Sequence, residues 1–217
     1  MQHGLPDPGV AGSELTRFLA RLAEAPAASA RPAFSERLGQ WLSWTGAISL
    51  SAALNAGAAS PTPRATRPLG HEEADFQRVR AALQASIDAG PDEPASSPTD
   101  FGPHRRHCAA RQHAMQEAVG ALRQRLREAL AQRSAAGARL AAIDAVLDGA
   151  LAAQERSLLG LVPLRLQAHF ERLQRGADPH WADRFRADRD HLLRAELAHR
   201  LLPVQGLLDT LRTLDTP

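Results

Sequence analysis

From residue 104 to residue 214 large apolar side chains recur three and four apart, and no stretch of the 217-residue chain alternates with period two. The first spacing gathers residues on one face of a helix, whereas a half-buried strand needs the second. Cys108, Met115, Val119, Leu122, Leu126 and Leu130 form one stripe, and Leu140, Ile143, Leu147, Leu151 and Leu158 form the next. Ser134 between them reads as an N-cap, which places a turn at 133–137. Pro163 ends or kinks the second helix, and the apolar face then shifts to Leu166, Phe170 and Leu173. Asp178 as N-cap with Pro179 behind it starts a further helix. Its apolar arc of Trp181, Phe185, Leu192, Leu193 and Leu197 is wide enough to meet several neighbours. Pro203 marks its end or a kink. Apolar content built from Ala and Leu, with nine aromatic residues and no Tyr, favours helix over strand. The expected fold is all-α: a long-helix bundle or hairpin with a small N-terminal helical module.

Punctuation divides the rest. Residues 1–12 are Gly/Pro-rich and read as a loose N-terminus. Residues 13–56 read as the N-terminal module, opened by a Ser13 cap and a Leu15, Phe18, Leu19, Leu22 face. Within it Phe34, Leu38, Trp41 and Ile48 share a helical face with Trp44 at its edge, Gly46 weakens the helix, and Thr45 offers a cap for a short second one. Residues 57–70 and 90–103 are Pro-, Gly- and Ser-rich linkers. Between them 71–89 forms a helix carrying Phe76, Val79, Leu83 and Ile87, and 104–214 is the long-helix bundle. Between Arg37 and Arg64 the chain carries no charge, long enough to span a bilayer at about 20 residues. Its large apolar residues are few among Gly, Ser, Asn, Thr and Pro, so membrane insertion is not expected. The start lacks the basic and apolar regions of a secretory signal, and a single cysteine forms no intrachain disulfide, which together suggest the cytoplasm.

Several chemistries are excluded or disfavoured. All 26 basic residues are Arg, so sites that depend on a P-loop, kinase or Schiff-base lysine are absent. No GxSxG, glycine-rich phosphate loop or CxxC occurs. HRRHCAARQH places His104, His107 and Cys108 at helical spacing for a metal, but Cys108 falls in the centre of an apolar stripe and is expected in the core. No catalytic, cofactor-binding or metal-ligating residue is therefore assigned. His71, His169, His180, His191 and His199 form no motif and read as surface or helix-edge residues. In DRFRADRDH, Arg184–Asp188, Arg186–Asp190 and Asp190–Arg194, with Glu196–Arg200 beyond, are i, i+4 pairs of a solvated helix.

Charge is unevenly spread. Residues 1–103 carry eight Arg and eleven acids, residues 104–133 seven Arg and two acids, and residues 134–217 eleven of each. The basic segment suits nucleic acid or an acidic partner. Its arginines do not share one face: Arg105, Arg123 and Arg127 lie on one flank of the apolar stripe, Arg125 on the other and Arg106 opposite, as snorkelling stems around a packed seam would. Trp41 is expected in the module's core and Trp44 at a partner contact.

SERLGQWLSWTGAISLSAALN, together with HRRHCAARQHAM, IDAVLDGALAAQERSLLGLVP, HFERL and LLRAELAHRLLPVQGLL, resembles an uncharacterised proteobacterial family, the domain of unknown function numbered 3348. The resemblance spans about residues 13–214 without the linkers. It implies a setting rather than a site: genes of this family sit beside those of a flagellar-stator-like motor and an outer-membrane-protein-A-like partner, an arrangement similar to Zorya-type anti-phage defence. The function expected is a non-enzymatic, cytoplasmic helical accessory protein that acts by protein–protein contact, with the motor complex as the implied partner. Its candidate contacts are Trp44, Arg105, Arg106, Arg123 and Arg127, and the 115–130 and 140–158 stripes, which also offer a homo-oligomer interface. The alternative is an Arg-rich nucleic-acid-binding effector of the same system.

Overall fold

The computed structural model describes residues 14–22, 44–55, 69–91 and 99–215. Among them are seven helices and no strand: α1 (Glu14–Leu22), α2 (Trp44–Asn55), α3 (Leu69–Asp88), α4 (Gly102–Arg133), α5 (Ala135–Leu159), α6 (Leu161–Arg175) and α7 (Trp181–Asp215). The fold is all-α, as the apolar periodicity dictates.

The two longest helices, α4 and α7, lie side by side and run parallel: His104 meets Arg189, and two turns further on Gln112 meets Glu196. The wide arc of α7 does have several neighbours, since α7 packs against α1, α3, α4 and α6. Antiparallel α3 is tied to α7 near both ends, by Arg194–Asp88 and Arg212–Glu73. Also antiparallel, α6 sets Phe170 against Phe185 and Trp181. A single core runs through these contacts. It takes Leu15, Phe18, Leu19 and Leu22 from α1, Phe76, Leu83 and Ile87 from α3, and the full Cys108–Leu130 stripe from α4. Each large aliphatic side chain so buried contributes about 1.5–3 kcal/mol. Residues 14–22 therefore share their core with the long helices. The 115–130 stripe is consumed by it and offers no outward surface.

Helix α5 folds back along α4 after one extended residue. Ser134 (φ −161°, ψ 162°) accepts a hydrogen bond from the Gly137 amide at 3.0 Å, which is the cap expected from sequence. The turn brings the new helix hard against the old one: a Cβ on Gly137 would lie 2.3 Å from the Leu130 carbonyl oxygen. Pro163 does not kink α5. That helix ends at Leu159, and the proline sits in the first turn of α6, where its missing N–H has no helical partner to lose. Pro203 lies inside α7, which continues past it to Asp215.

Helix α2 packs against α5. Phe34, Leu38 and Trp41 lie outside the described residues, as does the side chain of Trp44. Ile48, expected on a core face, is instead 54% exposed. The side of α2 toward its neighbour is the Gly46, Leu50, Ala53 line, three small or medium residues at i, i+4, i+7.

Gly137→Ala should force the hairpin apart at the Leu130 carbonyl and destabilise the protein by about 1–3 kcal/mol. Thermal unfolding checks this, with Gly149→Ala, where a Cβ meets nothing within 4 Å, as a neutral or stabilising control.

Candidate functional site

Two buried polar assemblies organise the bundle. The first lies in the α4–α7 seam. Arg189 is 2% exposed and Glu196 fully buried, both on the same side of α7 as Phe185, Leu192 and Leu193. Arg189 donates to Asp190 at 2.8 Å and to Nδ1 of His104 at 2.9 Å. A guanidinium only donates, so this ring nitrogen is the acceptor and the His104 proton sits on Nε2. Burial, and then the Arg189 charge, lower the His104 pKa to about 4. Phe101, Phe170 and Phe185 surround the ring. One turn on, Cys108 is buried and its thiol is pushed up to about 12 by desolvation, which makes it a core residue rather than a nucleophile. One turn further, Gln112 donates to both Glu196 (2.9 Å) and the Leu159 carbonyl (3.1 Å). Arg200 closes on the other Glu196 oxygen at 2.9 Å. Burial pushes the Glu196 carboxyl up more than Arg200 and Gln112 pull it down.

Beside the seam, His169 links three helices. Its Nε2 meets Asp188 at 2.8 Å, and its Nδ1 meets Arg172 at 3.0 Å; Arg172 also donates to the Leu22 carbonyl at the end of α1. Arginine again fixes the tautomer, with the His169 proton on Nε2 and directed to Asp188.

The second assembly joins α4 to α5. Arg123 reaches Asp144 (2.7 and 2.9 Å) and Asp148 (2.6 Å), and Arg127 reaches the same two carboxylates (2.7 and 2.8 Å). The guanidinium side chains are only 14% and 13% exposed. Burial alone would raise the Asp144 pKa, but hydrogen bonds from both arginines outweigh it and hold the carboxyl below its ordinary value.

The five residues singled out from sequence are thus separated. Arg123 and Arg127 are turned inward, their charge answered by α5. Arg105 and Arg106 are exposed on the first turns of α4, and Trp44 opens α2 on another flank. Elsewhere in the basic segment, Arg111 donates to the Ser86 carbonyl and Arg125 approaches Asp75 at 3.7 Å. Of the expected i, i+4 pairs only Glu196–Arg200 forms at short range, and it is buried rather than solvated. Arg184, Arg186 and Arg194 turn to Asp178, Asp183 and Asp88 instead. His169 is buried rather than at the surface. Sequence reasoning missed Arg189 and Glu196 because it weighed them as charges. Their positions, four after Phe185 and four after Leu192, were the signal that they belong to the apolar arc.

Among the described residues no group of three His, Cys, Asp or Glu side chains could hold a metal ion, and no helix is long and apolar enough to cross a membrane. A cleft of about 170 Å³ opens between the start of α3 and the end of α4, lined by His71, Glu72, Asp75, Arg125, Glu128 and Arg133. Its mixed charges are largely self-compensating.

These features place the molecule among helical bundles held by internal ionic seams. The chain belongs to the family described as Protein of unknown function (DUF3348), whose model matches residues 1–213. Comparison with curated proteins and with solved structures gives no match.

The His104 geometry has a pH consequence. Its pKa is about 4 in the fold and about 6.5 when unfolded, so between those values the unfolded chain binds the extra proton. Stability from this group is full above pH 6.5 and lost as pH falls toward 4; His199, also lowered by burial, acts in the same direction. His104→Gln keeps an acceptor for Arg189 but cannot titrate. Denaturant midpoints measured from pH 7 to pH 4 should fall less steeply for His104→Gln than for the unaltered protein.

Proposed function

We propose that this protein is a non-enzymatic cytoplasmic adaptor that acts by protein–protein contact through the α2–α5 flank. The observation that carries the reading is the character of α2. WTGAISLSAALN contains no charged residue, and its polar residues, Thr45, Ser49, Ser51 and Asn55, are interleaved with the large apolar Ile48, Leu50 and Leu54. Large aliphatic side chains left in water on such a charge-free helix mark an apolar spot that a partner can cover. The described structure covers its Gly46, Leu50, Ala53 line, while Ile48 and Leu54 stand 54% and 53% exposed. The adjacent α5 supports the same reading, since Ile143, Leu147 and Leu151 are only half-buried. Trp44, at the head of α2, adds a residue type favoured as an interface anchor.

The family's resemblance-based setting beside a stator-like motor makes a component of that motor the first partner to test, in an anti-phage defence role. A soluble or membrane-proximal domain of the motor would dock an apolar patch on α2, with the remaining bundle as a rigid support.

Ile48→Glu combined with Leu54→Glu should leave helicity and the unfolding midpoint nearly unchanged, because both side chains are exposed. Burying the two at an interface is worth about 1.5–3 kcal/mol each, so their replacement should weaken association at least tenfold. Co-purification and calorimetric titration with the motor proteins test this. Equal binding by the double variant, or no binding by the unaltered protein, contradicts the reading.

A further inference from the structure

The basic character seen in residues 104–133 does not survive folding as one surface, because Arg123 and Arg127 are spent on Asp144 and Asp148. A different basic surface is assembled from separate helices. The first turns of α4 and α7 and the last turn of α6 meet at one end of the bundle, as the contacts of Phe101 with Phe170 and Phe185 and of Phe170 with Trp181 require. Arg105 and Arg106 from α4, Arg175 from α6, and Arg184 and Arg186 from α7 are all exposed there.

The acids of the same end are mostly committed inward. Asp100 accepts from the Gly102 amide, Asp188 faces His169, and Asp190 holds the buried Arg189. Asp178 caps the His180 amide and also meets Arg184. Among the described residues only Asp183, paired with Arg186, and Glu171 are acids exposed beside the five arginines. Two helix N-termini and the α6 C-terminus meet at this end, so one positive dipole end is left over, of the same sign as the arginines.

We infer that this end of the bundle binds the phosphate backbone of duplex nucleic acid. Guanidinium groups suit phosphate by their fork geometry, and a backbone-reading surface needs charge rather than a shaped cleft. An anionic membrane is the weaker match, because surface binding to lipid combines charge with inserted apolar side chains. The exposed large apolar residues of the described structure, Ile48, Leu54, Leu161, Leu164, Leu202 and Leu214, lie on α2, at the start of α6 and in the second half of α7. This inference is independent of the adaptor reading.

The test is fluorescence anisotropy of the full chain with a labelled DNA duplex across a salt series. Engagement of about three to four phosphates gives log K falling with log[salt] at a slope of roughly −3. Arg105→Gln with Arg106→Gln, and separately Arg184→Gln with Arg186→Gln, should each weaken binding about tenfold and flatten the slope. Arg139→Gln with Arg156→Gln, an equal loss of exposed charge on α5, should leave both unchanged. Circular dichroism on each variant excludes unfolding as the cause. No binding at low salt overturns the inference, as does an equal effect of the α5 pair, or binding to vesicles of anionic lipid with none to the duplex.

Discussion

The ion clamp between α4 and α5 decides what this protein can show to a partner. Arg123 and Arg127 hold Asp144 and Asp148, and Gly137, Ala141 and Leu159 are buried on the same side of α5. At 100° per residue these positions share a face, and the Leu140–Leu158 stripe is centred about a quarter turn away from it. Helix α5 therefore meets α4 with its small and acidic residues; of its most apolar stripe, Leu140 and Leu158 pack at the edge of the core, while Ile143, Leu147 and Leu151 are left half-buried. A leucine-led seam would have buried that stripe and left the acids in water. Removing one member of such a network leaves its partners half-buried and unanswered, which is why these contacts fix a rotation as well as contributing stability.

The α4–α7 seam follows a related logic. Arg189 and Glu196 lie within an otherwise aliphatic and aromatic arc, and each is answered from two sides. Their partners on α4, His104 and Gln112, stand two helical turns apart, so the register of the two helices is specified by polar pairing as well as by packing. Sliding either helix by a turn would strand a buried charge, a penalty of several kcal/mol. The same commitment of acids to internal partners leaves outward arginines at one end of the bundle. Internal electrostatics and the external charge pattern are thus two consequences of one arrangement.

Much of the fold was legible in the sequence. The stripe from Cys108 to Leu130, the Ser134 cap and the wide arc from Trp181 to Leu197 each rest on local periodicity or capping chemistry, and each is found; Asp178 instead caps a turn at Pro179 and His180, and α7 opens at Trp181. What was not legible depends on contacts distant in sequence. Arg123 and Arg127 read as flanking charges because their acidic partners lie about twenty residues away on the next helix. Glu196–Arg200 read as a solvated pair because i, i+4 spacing says nothing about which side of the helix is covered. Pro163 and Pro203 were ambiguous because the effect of a proline depends on whether a helix starts just before it. The 140–158 stripe was correctly seen as apolar, but its rotation away from α4 follows from the clamp, which no single-helix pattern contains.

The clamp is best tested by a double-mutant cycle on stability with Arg127→Ala, Asp144→Ala and the combined variant, measured by denaturant unfolding at neutral pH. The account predicts a coupling of at least about 1.5 kcal/mol between the two sites, with the double variant less destabilised than the sum of the singles. Additive effects, with coupling near zero, would mean that α5 is oriented by something other than this network, and the exposure of its flank would lose its physical basis.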